Sequence, residues 1–166
     1  MKFPRLGLRI VKSAVAVFFC FLIDLMRGGG IPFYSAIAAI LCMQRDVRSS
    51  WRVGLNRTVG TLIGGGYGLL ILLALRGIPW LQTPLAAYLV ISLGLIPLMY
   101  LTVALERTSS TYITCVVYLS VVVSHGADTA PVAFAIGRVT DTLLGIFVSL
   151  GINAFPLGRS RKSDGN

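Results

Sequence analysis

The sequence predicts an all-α integral membrane fold, with six transmembrane helices arranged as two inverted three-helix repeats. Three observations carry this reading. The 166-residue chain is 55% hydrophobic and only 13% charged, whereas a soluble domain carries about a quarter charged residues. Six apolar runs are bounded by Gly, Pro and charged residues. The basic residues gather in alternate breaks between those runs, the distribution expected when basic loops stay on the cytoplasmic side during insertion.

Taken in order, the first helix is expected at 8–26, after a basic start from Met1 to Lys12. That start mimics a signal peptide, but no small-x-small site precedes the polar stretch Asp24–Gly30, so the helix is expected to be retained. Pro32 opens a second helix at 32–44, short for a full crossing. It is kept as a span because otherwise the Arg45–Arg57 cluster would lie outside, against the charge rule. The third helix is placed at 56–76, the fourth at 84–105, the fifth at 111–125 and the sixth at 131–156, with Pro97 expected to kink the fourth. The breaks, Arg27–Pro32, Arg45–Asn56, Gly77–Pro84, Glu106–Ser110 and His125–Pro131, leave no room for a globular insert.

This places one membrane domain at 1–158, with repeat halves of about 8–76 and 84–156, and a basic cytoplasmic tail at 159–166. Lys2, Arg5, Arg9, Lys12, Arg45, Arg48, Arg52, Arg57, Arg107, Arg159, Arg161 and Lys162 share one side, whereas Arg27 and Arg76 face the other, and Arg138, near the outer start of the sixth helix, is the exception. Both termini are therefore expected in the cytoplasm, with a bacterial inner, or plasma, membrane as the location. The net charge of +9 is accounted for by this topology, and a nucleic-acid partner is not expected. Cys20, Cys42 and Cys115 lie in apolar runs without metal or redox spacing, and read as small buried side chains.

An internal repeat underlies the inverted arrangement. Shifting the chain by 81 positions aligns Arg57-Thr-Val-Gly-Thr-Leu-Ile-Gly64 with Arg138-Val-Thr-Asp-Thr-Leu-Leu-Gly145, matching Arg, Thr, Leu and Gly. Because each half has three crossings, a direct repeat in sequence becomes inverted in the membrane, as in many transporters. Chance similarity of common membrane residues is the competing explanation.

The run from Arg9-Ile-Val-Lys-Ser-Ala through Pro32-Phe-Tyr-Ser-Ala-Ile-Ala-Ala-Ile-Leu-Cys-Met-Gln44 to Asn56-Arg-Thr-Val-Gly-Thr-Leu-Ile-Gly64 resembles the fusaric acid resistance and aromatic acid exporter superfamily, related to the plant malate channels. The second half resembles the same domain more loosely, and Arg-x-x-Gly-Thr-x-x-Gly is the most specific element. The resemblance implies a dimer of six-helix domains and efflux of aromatic carboxylic acids, or malate conduction in the plant branch. Longer relatives carry a cytoplasmic domain after the sixth helix; here the chain ends at Asn166, so the expectation is that this domain is dispensable or supplied by another chain.

An ionisable group inside a membrane helix is costly, and so is a functional candidate. Arg138 and Asp141 lie three apart and can pair on one face, which suggests a polar path where a substrate carboxylate competes for the guanidinium. A structural ion pair is the equal alternative. Arg57, its repeat mate, reads first as a side chain snorkelling to the inner interface and second as part of the path. Thr61 and Thr142 can donate to an anion or bond their own backbone. Lys12 either attracts anions at the cytoplasmic entrance or reaches the headgroups. Asp24 with Arg27, and Glu106 with Arg107, read as solvated anchors.

Gly60, Gly64 and Gly68 form a smooth face for helix packing, within the chain or in a homodimer. His125, in a loop without a metal-spaced partner, reads as solvated. No metal, cofactor or catalytic constellation is expected, and the absence of a phosphate cradle argues against ATP-driven work by this chain. The partners expected are lipids and a small organic anion. The leading expectation is a transporter or channel for organic anions; the rival is a non-transporting scaffold or regulatory subunit for a separate soluble partner. Whether a transporter would be a passive channel or a proton-coupled carrier turns on Asp141 and Asp24.

Overall fold

A computed structural model describes residues 7–28, 32–124 and 131–155, and all regular structure among them is helical. Six α-helices follow in chain order: α1 (Leu8–Arg27), α2 (Pro32–Cys42), α3 (Val47–Gly77), α4 (Pro84–Ala104), α5 (Thr111–Ser124) and α6 (Pro131–Ala154). Short 3₁₀ turns, Pro79–Gln82 and Thr108–Ser110, lead into α4 and α5. The tail at 159–166 and the loop containing His125 lie outside the described residues.

Local chemistry sets the ends. Gly28 closes α1 in the left-handed conformation, φ 69°, which a residue without Cβ adopts at no steric cost. Pro84 begins α4, where a missing N–H is harmless, and α4 continues through Pro97 to Ala104.

The main correction concerns α3, which starts at Val47 rather than near residue 56. The basic stretch taken as a loop is helical because arginine is a good helix former and Asp46 caps the end. The Asp46 Oδ2 accepts the Ser49 amide at 2.8 Å, satisfying an otherwise unpaired donor of the first turn. That amide, then the Ser49 side chain, holds the Asp46 carboxyl below its usual range. Because the folded-state value is depressed, the capping contribution is complete above the pH where unfolded Asp ionises and fades as pH falls through the folded value. Unfolding midpoints of wild type and D46N are therefore expected to separate near neutral pH and converge as acid protonates the folded-state carboxyl; a gap unchanged with pH would show that the cap is not acting through its charge.

The helices pack into two compact units, each described separately. In unit 1, α1 and α2 join the first residues of α3 and the end of α6. Its core brings together Ala16 and Cys20, Ala39 and Met43, and Leu144, Val148 and Ile152. A polar knot closes one end: Ser50 Oγ accepts from the Gln44 amide (3.0 Å) and from Asn153 Nδ2 (2.9 Å), while Asn153 Nδ2 also donates to the Gln44 carbonyl (3.1 Å). Ser50 is fully buried, so Asn153→Leu strips this knot of its shared donor. We expect a loss of about 1–3 kcal/mol, read as a lower unfolding midpoint in detergent.

In unit 2, α4 and α5 join the rest of α3 and the start of α6. Leu75, Ile91, Leu98, Tyr118 and Val122 form its main core, and Leu72, Val117 and Val121 a second cluster with Ile113 and Phe134 packed against it. The Tyr118 hydroxyl donates to the Ile91 carbonyl at 2.9 Å. The two long helices α3 and α6 are thus each shared between the units, α3 mostly in unit 2 and α6 about evenly.

Three helices, α3, α4 and α6, are long and apolar enough to cross a membrane. At 20 residues α1 has the length, but carries Arg9, Lys12, Asp24 and Arg27. With 11 and 14 residues, α2 and α5 span only about 16 and 21 Å, against a hydrocarbon core of about 30 Å. Large apolar side chains stand exposed on every helix, among them Leu25, Phe33, Leu70, Tyr100, Val123 and Phe147. A water-soluble monomer does not present so much apolar surface.

Candidate functional site

Charged and polar groups are buried along α6. Arg138 is 5% exposed and Asp141 4% exposed, and Thr142 is buried beside them. Arg138 lies two turns inside the helix, and its i, i+3 spacing to Asp141 sets both on the inward face. The earlier half of unit 2 supplies Thr61, buried, and Arg57, half-buried, from α3. The Thr61 hydroxyl has no hydrogen-bond partner among the described residues, unlike Thr58 and Thr140, which donate to the Gly54 and Gly137 carbonyls of their own helices.

The glycine face of α3 meets α5. A Cβ on Gly60 would lie 3.0 Å from the Ser110 carbonyl oxygen, one on Gly68 would touch Val121, and one on Gly64 would collide with the Thr114 carbonyl. In unit 1, a Cβ on Gly145 would strike the Ser35 carbonyl and the Ala38 side chain of α2. Gly64 and Gly145 thus each let a long helix rest directly on the backbone of a short one.

Lys12 belongs to unit 1. Its Nζ donates to the carbonyls of Asn153 (3.2 Å) and Phe155 (3.0 Å), at the end of α6 where the helix dipole favours a cation. Beside it, Arg9 Nε donates to the Met43 carbonyl at 2.9 Å.

Two features escape sequence reasoning. Asp24, expected to be a solvated anchor, is 5% exposed; its Oδ2 accepts from Ser35 Oγ at 2.7 Å, and Arg27 approaches its Oδ1 at 3.6 Å. Position near a helix end suggested solvent, but the close approach of α2 covers the carboxylate. The signal available was Ser35, a hydroxyl amid the apolar second helix. Ser35→Ala removes a donor from a buried carboxylate, so stability should fall by about 1–3 kcal/mol. Asp24→Asn retains an oxygen for that hydrogen bond and should cost less. The reverse order in thermal unfolding would mean that the charge, not the Ser35 bond, secures the site.

The second is a cavity of about 450 Å³ in unit 2, walled by Leu72, Leu75, Ile91 and Val122 and also lined by Arg76 and Tyr88. Arg76, which lies in the last turn of α3, reads from the sequence only as a charge on the outer side, not as part of a cavity wall. Arg138, Asp141, Arg57, Thr61 and Thr142 do not line this cavity, nor a cleft of about 340 Å³ between Gly65–Gly66 of α3 and Ala135–Thr140 of α6.

Residues 14–152 match the model of the fusaric acid resistance protein-like family. The chain belongs to that family. Comparison with curated proteins and with solved structures finds no match. For this fusaric acid resistance-like chain, family membership and the three long apolar helices together mark a membrane protein. The family match covers all six helices apart from the first turns of α1 and the last residues of α6, and so includes every buried charge described above. Among the described residues no cluster of metal-ligating side chains occurs.

Proposed function

We propose that this protein is a membrane transporter or channel for organic anions, with aromatic carboxylates as the favoured class and efflux as the direction. The observation that carries the reading is the burial of Arg138 and Asp141 within an apolar helix. Ionisable groups at such depth are costly unless they serve a path or a partner, and a guanidinium is the side chain best shaped to meet a carboxylate. Membership of a resistance protein-like family supports export.

Two features support an inverted repeat. The short helices α2 and α5 occupy corresponding places in the two halves, and short apolar segments in such positions mark substrate sites in transporters built this way. Gly64 and Gly145 make equivalent backbone contacts with them. Membrane embedding is supported by Trp51, near the start of α3, and Trp80, just beyond its end, both exposed. About 39 Å of helix separates Trp51 from Gly77, close to the span between two aromatic interface belts. On this reading all six helices lie in a plasma membrane with both termini cytoplasmic, the shorter two within the thickness set by their neighbours, and the functional particle is a homodimer.

Purified protein reconstituted in liposomes is expected to release a trapped aromatic carboxylate faster than protein-free vesicles. Flux that appears only after a soluble partner is added would instead assign the chain to a membrane subunit of a larger transporter.

A further inference from the structure

We propose that the basic cavity at one end of unit 1 binds a phosphate-bearing anion. The cavity measures about 300 Å³ and lies where α1 begins and α2 and α6 end. Arg9, Lys12 and Arg45 all line it. Among the described residues, none of the three has a carboxylate within ion-pair distance. The adjacent carboxylate, Asp46, is committed to the α3 cap.

Helix-end carbonyls offset only part of this charge. Arg9 spends Nε on the Met43 carbonyl, and Lys12 binds the last carbonyls of α6. A helix C-terminus is worth about half a negative charge, so two ends leave the three cations in clear excess. The same bonds pre-orient the site: with Nε anchored, the terminal nitrogens of Arg9 form a fixed fork, the arrangement suited to two oxygens of a phosphate. Gln44 and Asn153 add neutral walls whose positions are set by the Ser50 knot.

Leu8, exposed, and Met43, buried, complete the lining. An apolar wall beside three cations at a helix-end level suits a phospholipid headgroup joined to its acyl chains. A soluble phosphate shares the charge and the oxygen geometry but gains nothing from that wall. The proposal is independent of transport, since a chain that moves nothing would still hold its phosphate here.

The test uses the full chain in uncharged detergent, with phosphatidylglycerol, phosphatidylcholine and inorganic phosphate as separate probes. Native mass spectrometry counts bound lipid, and thermal unfolding reads the midpoint. Phosphatidylglycerol is expected to remain bound and raise the midpoint, phosphatidylcholine to do neither, and R9Q/R45Q to weaken retention about tenfold or more. R45Q alone, at an exposed position, gives a partial loss should the double variant not fold. An equal shift from inorganic phosphate, lost in the same variants, assigns the site to a soluble anion. Lipid retention that is the same in wild type, R45Q and R9Q/R45Q, or no effect of either phosphatidylglycerol or inorganic phosphate, overturns the proposal.

Discussion

Replacing Arg138 by glutamine is expected to lower carboxylate flux in liposomes by about 10- to 100-fold while the protein still inserts. The estimate follows from the loss of one charge-assisted hydrogen bond, worth about 1.5–3 kcal/mol when the charged group is desolvated. Arg138 is 5% exposed, so bulk screening does little to soften its effect. Glutamine preserves donors and much of the length, which isolates the charge. Arg138→Lys keeps the charge but loses the planar fork, and should fall between glutamine and wild type. Asp141→Asn tests the competing structural role. If Arg138 and Asp141 only lock the bundle, neutralising both should restore stability relative to either alone, and flux should return with it. If Arg138 meets the passenger, the double variant folds and stays inactive. Unchanged flux in Arg138→Gln removes this residue from the mechanism.

Alanine at Gly145 is expected to lower stability by about 1–3 kcal/mol, and valine by more. The added Cβ would meet the Ser35 carbonyl, the Ala38 side chain and the Ala39 amide nitrogen. None of these is the end of a flexible side chain, so α2 must back away as a body. Ser35, Ala38 and Ala39 are all fully buried, and the retreat would loosen the packing they share. Gly64→Ala meets the Thr114 backbone in unit 2 and should behave alike. Gly66 is the internal control. A Cβ there meets nothing within 4 Å, so Gly66→Ala should be neutral or stabilising by up to about 1 kcal/mol through helix propensity. Thermal unfolding of the three variants in one detergent checks the order. Equal stabilities for Gly64→Ala, Gly145→Ala and Gly66→Ala would mean that close backbone approach is not what these glycines provide.

The helices and their type were legible because apolar runs, glycines and prolines act locally. A run too apolar for water must find hydrocarbon or protein, and Gly28, Pro32 and Pro84 mark ends through their own backbone preferences. The start of α3 was not legible in the same way. A basic segment between apolar runs has the charge of a loop, and only the Asp46 cap and the continuing helix distinguish it. That Arg138 and Asp141 share one helical face was legible from their spacing of three. The burial of Asp24 was not, because it depends on how closely α2 approaches α1.

Family and helical class could therefore be read from the chain alone, since they rest on residue type and spacing. Which carbonyl each glycine meets, which carboxylate is covered, and that Arg9, Lys12 and Arg45 line one cavity were decided by tertiary packing. Those facts join residues far apart in sequence, such as Lys12 to Asn153 and Asn153 to Ser50, and no local preference records which distant helix end will arrive beside a given side chain.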